Sequence, residues 1–112
     1  MNHGLSAATV ARINGVLARY PEVKRAILYG SRAKGNFKPG SDIDLTLCGP
    51  DLTPASLAAI EDALDDLLLP YTIDLSIFDL LDHASLREHI ERVGREFYRR
   101  QDNGMMLATE RA

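Results

Sequence analysis

Two segments of the chain alternate strictly between polar and apolar residues. Residues 42–47 read DIDLTL and residues 72–77 read TIDLSI. Successive side chains of a β-strand point to opposite faces, so each segment has one apolar and one polar face. The pattern predicts two strands whose apolar faces pack on a core. Their polar faces carry Asp42 and Asp44 on the first strand and Asp74 on the second.

The segment between these strands has the spacing of an amphipathic helix. Thr53 is a favourable N-cap and Pro54 a favourable first residue. The predicted apolar face continues as far as Leu67 and Leu68, and Pro70 ends the helix.

Further elements are predicted on both sides of this unit. Ser6 caps a first helix, and residues 26–29 form a short buried strand. A last helix at 85–93 ends with Gly94 as its C′ residue, and a short edge strand follows at 96–98. This order predicts an α/β (α+β) fold. We expect a small mixed sheet with helices packed on one face and an open polar face.

Length and charge limit the classes of function. The 112 residues fit one domain, with a core at about 8–100 and a tail at 101–112. A net charge of −3 argues against a protein that coats nucleic acid by charge alone. We expect a cytoplasmic protein, because the sequence has one cysteine, no bilayer-length apolar run and no signal-peptide pattern.

The three aspartates on the polar strand faces are candidate metal ligands. If the two strands are neighbours, Asp42, Asp44 and Asp74 converge. Clustered carboxylates repel one another at neutral pH unless cations lie between them. Ligation by oxygen alone suits Mg²⁺ or Mn²⁺. Alternation by itself leaves open a second interpretation, in which the three acids are simply solvated at the edge of a sheet.

The segment before the first acidic strand is rich in glycine and cations. Gly30-Ser31 ends a strand and opens a helical turn, which leaves backbone N–H groups and a hydroxyl available to an anion. Arg32, Lys34 and Lys38 add positive charge. A phosphate-binding loop beside a carboxylate cluster favours phosphoryl or nucleotidyl transfer, in which metals neutralise the phosphates.

These motifs together resemble a known family. Gly30-Ser31, a spacer of nine residues, Ser-Asp-Ile-Asp-Leu at 41–45 and the later Asp74 resemble the DNA polymerase β-like nucleotidyltransferase superfamily. The short length and the run GSRAKG followed by SDIDL most resemble its MNT group, the minimal nucleotidyltransferases. The resemblance implies the polymerase β-like fold and one minimal nucleotidyltransferase domain over residues 1–112.

The resemblance also implies roles for the acids. Asp42, Asp44 and Asp74 would be the catalytic residues and would hold Mg²⁺ or Mn²⁺. Asp74 would in addition assist deprotonation of the acceptor hydroxyl.

A second set of positions would bind the nucleotide substrate, ATP. Gly30 and Ser31 would hold its β- and γ-phosphates, with Arg32 as a helper. Ser41, directly before the first acid, would help to position phosphate or metal ligands.

The family resemblance implies a partner as well. Larger relatives carry an additional helical domain that holds the acceptor, and we expect this chain to lack one. MNT proteins pair with a HEPN toxin as its antitoxin, and they resemble enzymes that transfer AMP from ATP to a tyrosine of that toxin and so silence its RNase activity. We expect a hetero-oligomer with the toxin, without binding to membranes or long nucleic acids. Two alternatives stay open: neutralisation by binding alone, and transfer to a small aminoglycoside-like molecule.

Overall fold

A computed structural model describes residues 3–101 of the chain. The helices are α1 (Ala7–Ala18), α2 (Gly30–Lys34), α3 (Pro54–Asp65) and α4 (Ala84–Val93), and a short 3-10 turn spans Phe78–Leu80. The strands are β1 (Arg25–Tyr29), β2 (Ile43–Cys48), β3 (Ile73–Ile77) and β4 (Arg95–Arg99). Apart from Gln101, the predicted tail lies outside the described residues. Within the described part of the chain, no helix is both long and apolar enough to span a bilayer.

The four strands form one mixed sheet in the order β3-β2-β1-β4. β1 is antiparallel to both β2 and β4, whereas β2 and β3 are parallel and are joined through α3. The predicted mixed sheet with β4 at its edge is confirmed. Because β2 and β3 are direct neighbours, the two alternating segments of the sequence share one polar face.

The apolar face of the sheet carries the core. The residues of β2 that point to this face are fully buried, as the alternation predicts: Ile43, Leu45 and Leu47. Residues of α1 and α3 complete the same cluster, including Ile13, Leu17, Ile60 and Leu64. Removal of apolar surface from water stabilises the fold by about 25 cal/mol per Å², and this is the main force that holds these helices against the sheet.

Helix α4 lies on the opposite face, towards β1. The ring of His89 is 6.3 Å from that of Tyr29, the last residue of β1. A Cβ atom on Gly94 would collide with the Cγ2 methyl of Ile27 and with the carbonyl oxygen of Ile90. The acidic end of this face, at Asp42 and Asp74, stays exposed.

Both predicted N-caps are confirmed. The side chain of Ser6 accepts a hydrogen bond from the backbone N–H of Thr9 at 3.1 Å, and that of Thr53 accepts one from Ser56 at 3.1 Å. Each bond satisfies one of the N–H groups that the first turn of a helix leaves unpaired.

The predicted end of α3 is wrong, whereas α4 ends at Val93 as predicted and only the conformation of Gly94 differs. Helix α3 ends at Asp65 and not at Pro70, because the chain turns at Leu68, which adopts a left-handed φ of 55° and is 87% exposed. Gly94 caps α4 with φ −62° and ψ 146° rather than as a left-handed C′ residue. Its lack of a side chain instead serves the close approach to Ile27 and Ile90.

Candidate active site

The parallel register of β2 and β3 brings two of the predicted acids side by side. Asp44 pairs directly with Asp74, and neighbouring strands lie about 4.8 Å apart. Asp42 comes one residue before β2, on the same face as Asp44, with roughly 6.5–7 Å between their Cα atoms. Asp42 and Asp74 are exposed, whereas Asp44 is half-buried.

The three acids interact electrostatically. Burial raises the pKa of Asp44, and the negative charges of Asp74 and then Asp42 raise that pKa further. His89 on α4 acts in the opposite direction on the pKa of the same carboxyl group. Ionisation of Asp44 therefore costs free energy that a cation at this site would offset.

His89 is a neighbour of the site that the sequence did not predict. The spacing of the three histidines does not fit a metal site, so the sequence predicts that His89 is a surface residue. Its position beside Tyr29 depends on how α4 packs over β1, and no local pattern in the sequence reports that contact.

A polar network lies below the acids on the same face. Ser76 donates a hydrogen bond of 2.9 Å to the hydroxyl of Thr46, which is fully buried. Burial raises the pKa of Tyr29, as do the charges of Asp74 and Asp44, while a hydrogen bond with Ser76 opposes the shift. Tyr29 thus connects the acidic pair to this network.

Gly30 joins the predicted phosphate-binding turn to the acids. Its φ of +74° lies in the left-handed region, and a Cβ atom here would collide with Oδ2 of Asp44. Glycine is required on both counts. Helix α2 begins at this residue, so the backbone that opens the turn lies directly against the Asp44 carboxylate.

Arg32 has partners that differ from the predicted phosphate. Its side chain is 1% exposed, and its guanidinium donates to the carbonyl oxygens of His3, Pro39 and Ser41. Every guanidinium nitrogen is used in these bonds, so the structure directs Arg32 to the protein backbone and not to a ligand.

Ser41 is likewise engaged within its own loop. Its hydroxyl accepts a hydrogen bond of 2.8 Å from the backbone N–H of Lys38, and its N–H donates to the carbonyl oxygen of Lys38 at 2.9 Å. These reciprocal bonds close the turn that leads into Asp42. The structure thus connects Ser41 to Asp42 through this turn, and its role towards phosphate or metal ligands stays a prediction.

The donor set fits a hard divalent cation. No group of three His, Cys, Asp or Glu side chains within residues 3–101 is already converged as a metal site. The acids nevertheless present only carboxylate oxygens, and the pKa of Asp44 is raised by burial first and then by the negative charges of Asp74 and Asp42, which a cation would offset. Asp42 and Asp74 are exposed, and exposed side chains change rotamer within nanoseconds, so both carboxylates are free to turn towards a cation.

The family of the chain is given by comparison of its sequence with family models. Residues 11–103 match the model described as polymerase beta, nucleotidyltransferase. The chain belongs to this family. The match includes the Gly30-Ser31 turn and all three acids. Among curated proteins, no significant match to the sequence is found.

Solved structures of similar fold include chains from toxin–antitoxin complexes and a putative nucleotidyltransferase. A chain of a toxin–antitoxin crystallised with AMP-PNP is 21% identical, with a TM-score of 0.67, over 82% of this chain and 74% of that one. A chain from the complex of a tri-AMPylated HEPN toxin with an MNT antitoxin, from Shewanella oneidensis, is 19% identical, with a TM-score of 0.62, over 84% and 72%. A putative nucleotidyltransferase from Sulfolobus solfataricus is 16% identical, with a TM-score of 0.53, over 88% and 83%. At these identities the similarity establishes the fold.

Proposed function

We propose that this nucleotidyltransferase-family chain is an antitoxin that transfers AMP from ATP to a tyrosine of a HEPN toxin in a metal-dependent reaction. The observation that carries the proposal is the pairing of Asp44 with Asp74, beside Asp42 and against the backbone of Gly30. Family membership supports nucleotidyl transfer. The fold shared with chains from toxin–antitoxin complexes, one with AMP-PNP and one with a tri-AMPylated HEPN toxin, supports this acceptor.

In this proposal the acids hold Mg²⁺ or Mn²⁺, with Asp42 and Asp44 from one strand and Asp74 from its neighbour. When bound, such ions neutralise the triphosphate and orient the attacking and leaving oxygens. The carboxylates keep the ions at one end of the polar face. Gly30 and Ser31, at the start of α2, hold the outer phosphates through backbone N–H groups and the Ser31 hydroxyl.

The proposed transfer step moves an adenylyl group from ATP to the acceptor tyrosine. The phenolic oxygen of the acceptor tyrosine forms a bond to the α-phosphorus of ATP, and the bond from that phosphorus to the bridging α,β-oxygen breaks. Pyrophosphate leaves with the electron pair. Asp74, which is exposed at the edge strand β3, accepts the phenolic proton.

The test is transfer of label from ATP to a candidate HEPN partner in the presence of Mg²⁺. We expect label at the α-phosphorus to appear on the partner and label at the γ-phosphorus to stay off it. Asp42→Asn should reduce the transfer by about 100-fold or more, since even groups that only support a metal ligand contribute 10–100-fold. Absence of α-label on the partner, with folded protein and Mg²⁺ present, would contradict the proposal.

The alternative of neutralisation by binding alone is separated by a double substitution. Asp44→Asn with Asp74→Asn removes two charges from the site and leaves the apolar face of the sheet intact. We expect this variant, expressed at the wild-type level, to lose protection of cells against the toxin. Full protection would favour binding without catalysis. Transfer of AMP to an aminoglycoside by the isolated chain would favour the small-molecule alternative.

A further inference from the structure

We propose that Arg32 is a positioning residue of this site. Its guanidinium fixes residues 37–41, which we call the 37–41 loop, and so sets where Asp42 lies relative to Gly30 and Ser31. The inference rests on the proposed function only in taking these residues as the site. The hydrogen bonds and ring contacts of Arg32 from which we infer this role are all made within the chain.

The first contact set acts on the peptide that leads into Asp42. Nε of Arg32 donates to the carbonyl oxygen of Ser41 at 3.2 Å, and a terminal nitrogen donates to the same oxygen at 3.0 Å and to that of Pro39 at 3.3 Å. The other terminal nitrogen donates to the carbonyl oxygen of His3 at 2.8 Å. The Ser41 carbonyl belongs to the peptide group that carries the nitrogen of Asp42. Holding that oxygen from two nitrogens fixes the orientation of this peptide.

The second contact set connects Arg32 to both acidic strands. The guanidinium carbon lies 5.0 Å from the ring centre of Phe37 and 5.0 Å from that of Tyr71. Phe37 opens the loop that ends at Asp42, and Tyr71 comes three residues before Asp74. One planar group therefore contacts the segments that enter the site from both strands. A guanidinium stacks on aromatic rings and donates in a fixed fork, and the ammonium of lysine does neither in this way.

The burial of Arg32 shows how much the fold depends on this geometry. Its side chain is 1% exposed, and among the described residues no carboxylate forms an ion pair with it. A buried charge is costly unless its donors are satisfied, and here backbone carbonyls satisfy them. An apolar side chain of similar size would fill the same space without that cost, but it would leave the carbonyls of the 37–41 loop unfixed.

Arg87 provides a matched control at the other end of β3. Its guanidinium donates to the carbonyl oxygens of Phe78 and Leu81 at 2.7 and 3.2 Å and stacks on the Phe78 ring at 4.3 Å. Arg87→Lys thus removes the same kind of stacked, carbonyl-binding guanidinium at a distance from the acids. Comparison with Arg32→Lys separates positioning of the site from a general loss of stability.

The experiment measures two properties of the full chain. Mn²⁺ affinity is measured by titration with Mn²⁺ alone, and exchange of the Ser41 amide is followed in metal-free protein. We expect Arg32→Lys to lower Mn²⁺ affinity by about 10–100-fold, as for other groups that orient metal ligands. We also expect faster exchange of the Ser41 amide, which donates to Lys38 in the intact loop. Arg87→Lys should leave both properties at the wild-type value.

Several outcomes would overturn the inference. Wild-type affinity and exchange in Arg32→Lys would do so, as would an equal loss in Arg87→Lys. If Arg32→Lys does not fold, Phe37→Leu decides, because it removes one stacked ring and leaves the hydrogen-bonding groups. We expect smaller changes in Mn²⁺ affinity and amide exchange, in the same directions. Wild-type values for both properties in Phe37→Leu would overturn the inference.

The failure of this inference is distinguishable from that of the proposed function. A wild-type chain that transfers no AMP but shows these effects in Arg32→Lys refutes the proposed function and supports the positioning role. A wild-type chain that transfers AMP while Arg32→Lys matches it in affinity and exchange refutes the positioning role alone. If the wild-type chain binds no Mn²⁺, amide exchange at Ser41 decides whether Arg32 fixes the loop.

Discussion

Gly30 is the residue where the two halves of the proposed site touch. Its left-handed φ of +74° suits glycine, and the space that a Cβ would need is already occupied by Oδ2 of Asp44. The same residue therefore sets the direction of the turn into α2 and the distance between that turn and the carboxylate.

Substitution of Gly30 by alanine tests this contact. We expect Gly30→Ala to lower the free energy of unfolding by about 1–2 kcal/mol from the left-handed backbone and by about 1–3 kcal/mol more from the collision. Gly35→Ala is the matched control, because Gly35 has a φ of +88° but nothing within 4 Å of a Cβ. It should show only the backbone cost. Urea unfolding measures both, and equal losses would contradict the collision.

A double substitution isolates the partner of that collision. Asp44→Ala removes the oxygen that a Cβ on Gly30 would meet. We therefore expect Gly30→Ala to cost less unfolding free energy in an Asp44→Ala background than in the wild type. An equal cost in both backgrounds would show that the carboxylate does not restrict Gly30.

The charge of Asp44 should cost stability when no metal is present. Its pKa is raised in the fold, so the ionised form is less favourable there than in the unfolded chain. In EDTA at neutral pH, we expect Asp44→Asn to have a higher free energy of unfolding than the wild type. This difference should shrink as the pH falls through the raised pKa, because the wild-type carboxyl then takes up its proton. A constant or growing difference would contradict the account.

Among the helices, α3 shows most clearly how local geometry departs from a periodic pattern. The apolar spacing continues to Leu68, but the helix ends at Asp65 because the chain needs a reversal before β3. Leu68 supplies it in a left-handed conformation that a leucine side chain disfavours.

Substitution at Leu68 should therefore stabilise the fold. Asparagine tolerates the left-handed region, and Leu68 is 87% exposed, so Leu68→Asn gives up little packing. We expect an increase of about 1 kcal/mol in the free energy of unfolding. Leu69→Asn is the control, because Leu69 packs against the core and its substitution should destabilise. A decrease for Leu68→Asn would contradict the strain.

The elements that could be predicted from sequence are those whose cause is local. Caps at Ser6 and Thr53 and the strand containing Asp44 follow from residue type and alternation, and the structure confirms them. The contacts of Arg32 and the position of His89 depend on segments far apart in the chain, so no local pattern reports them. The charge of Arg32 and the family resemblance both indicate a phosphate-binding role, because the sequence shows charge in a loop but does not show burial.

At the scale of the whole molecule, the proposed site is open to solvent. The acids lie at an exposed end of the sheet, and the acceptor in the proposed reaction comes from another protein. A net charge of −3 disfavours a long nucleic acid as partner, whereas the proposed contact with a HEPN protein needs only a local match. Whole-molecule function is therefore best measured on the pair of proteins rather than on the chain alone.

In the proposed function, the site formed by Asp42, Asp44 and Asp74 adds AMP to a tyrosine of the HEPN partner. The most direct measurement is the intact mass of that partner after incubation with this chain, ATP and Mg²⁺, followed by peptide mapping. We predict a mass increase of whole AMP units, located on tyrosine and lost with Asp42→Asn or EDTA. An unchanged mass, or an increase that persists with Asp42→Asn, would contradict the account.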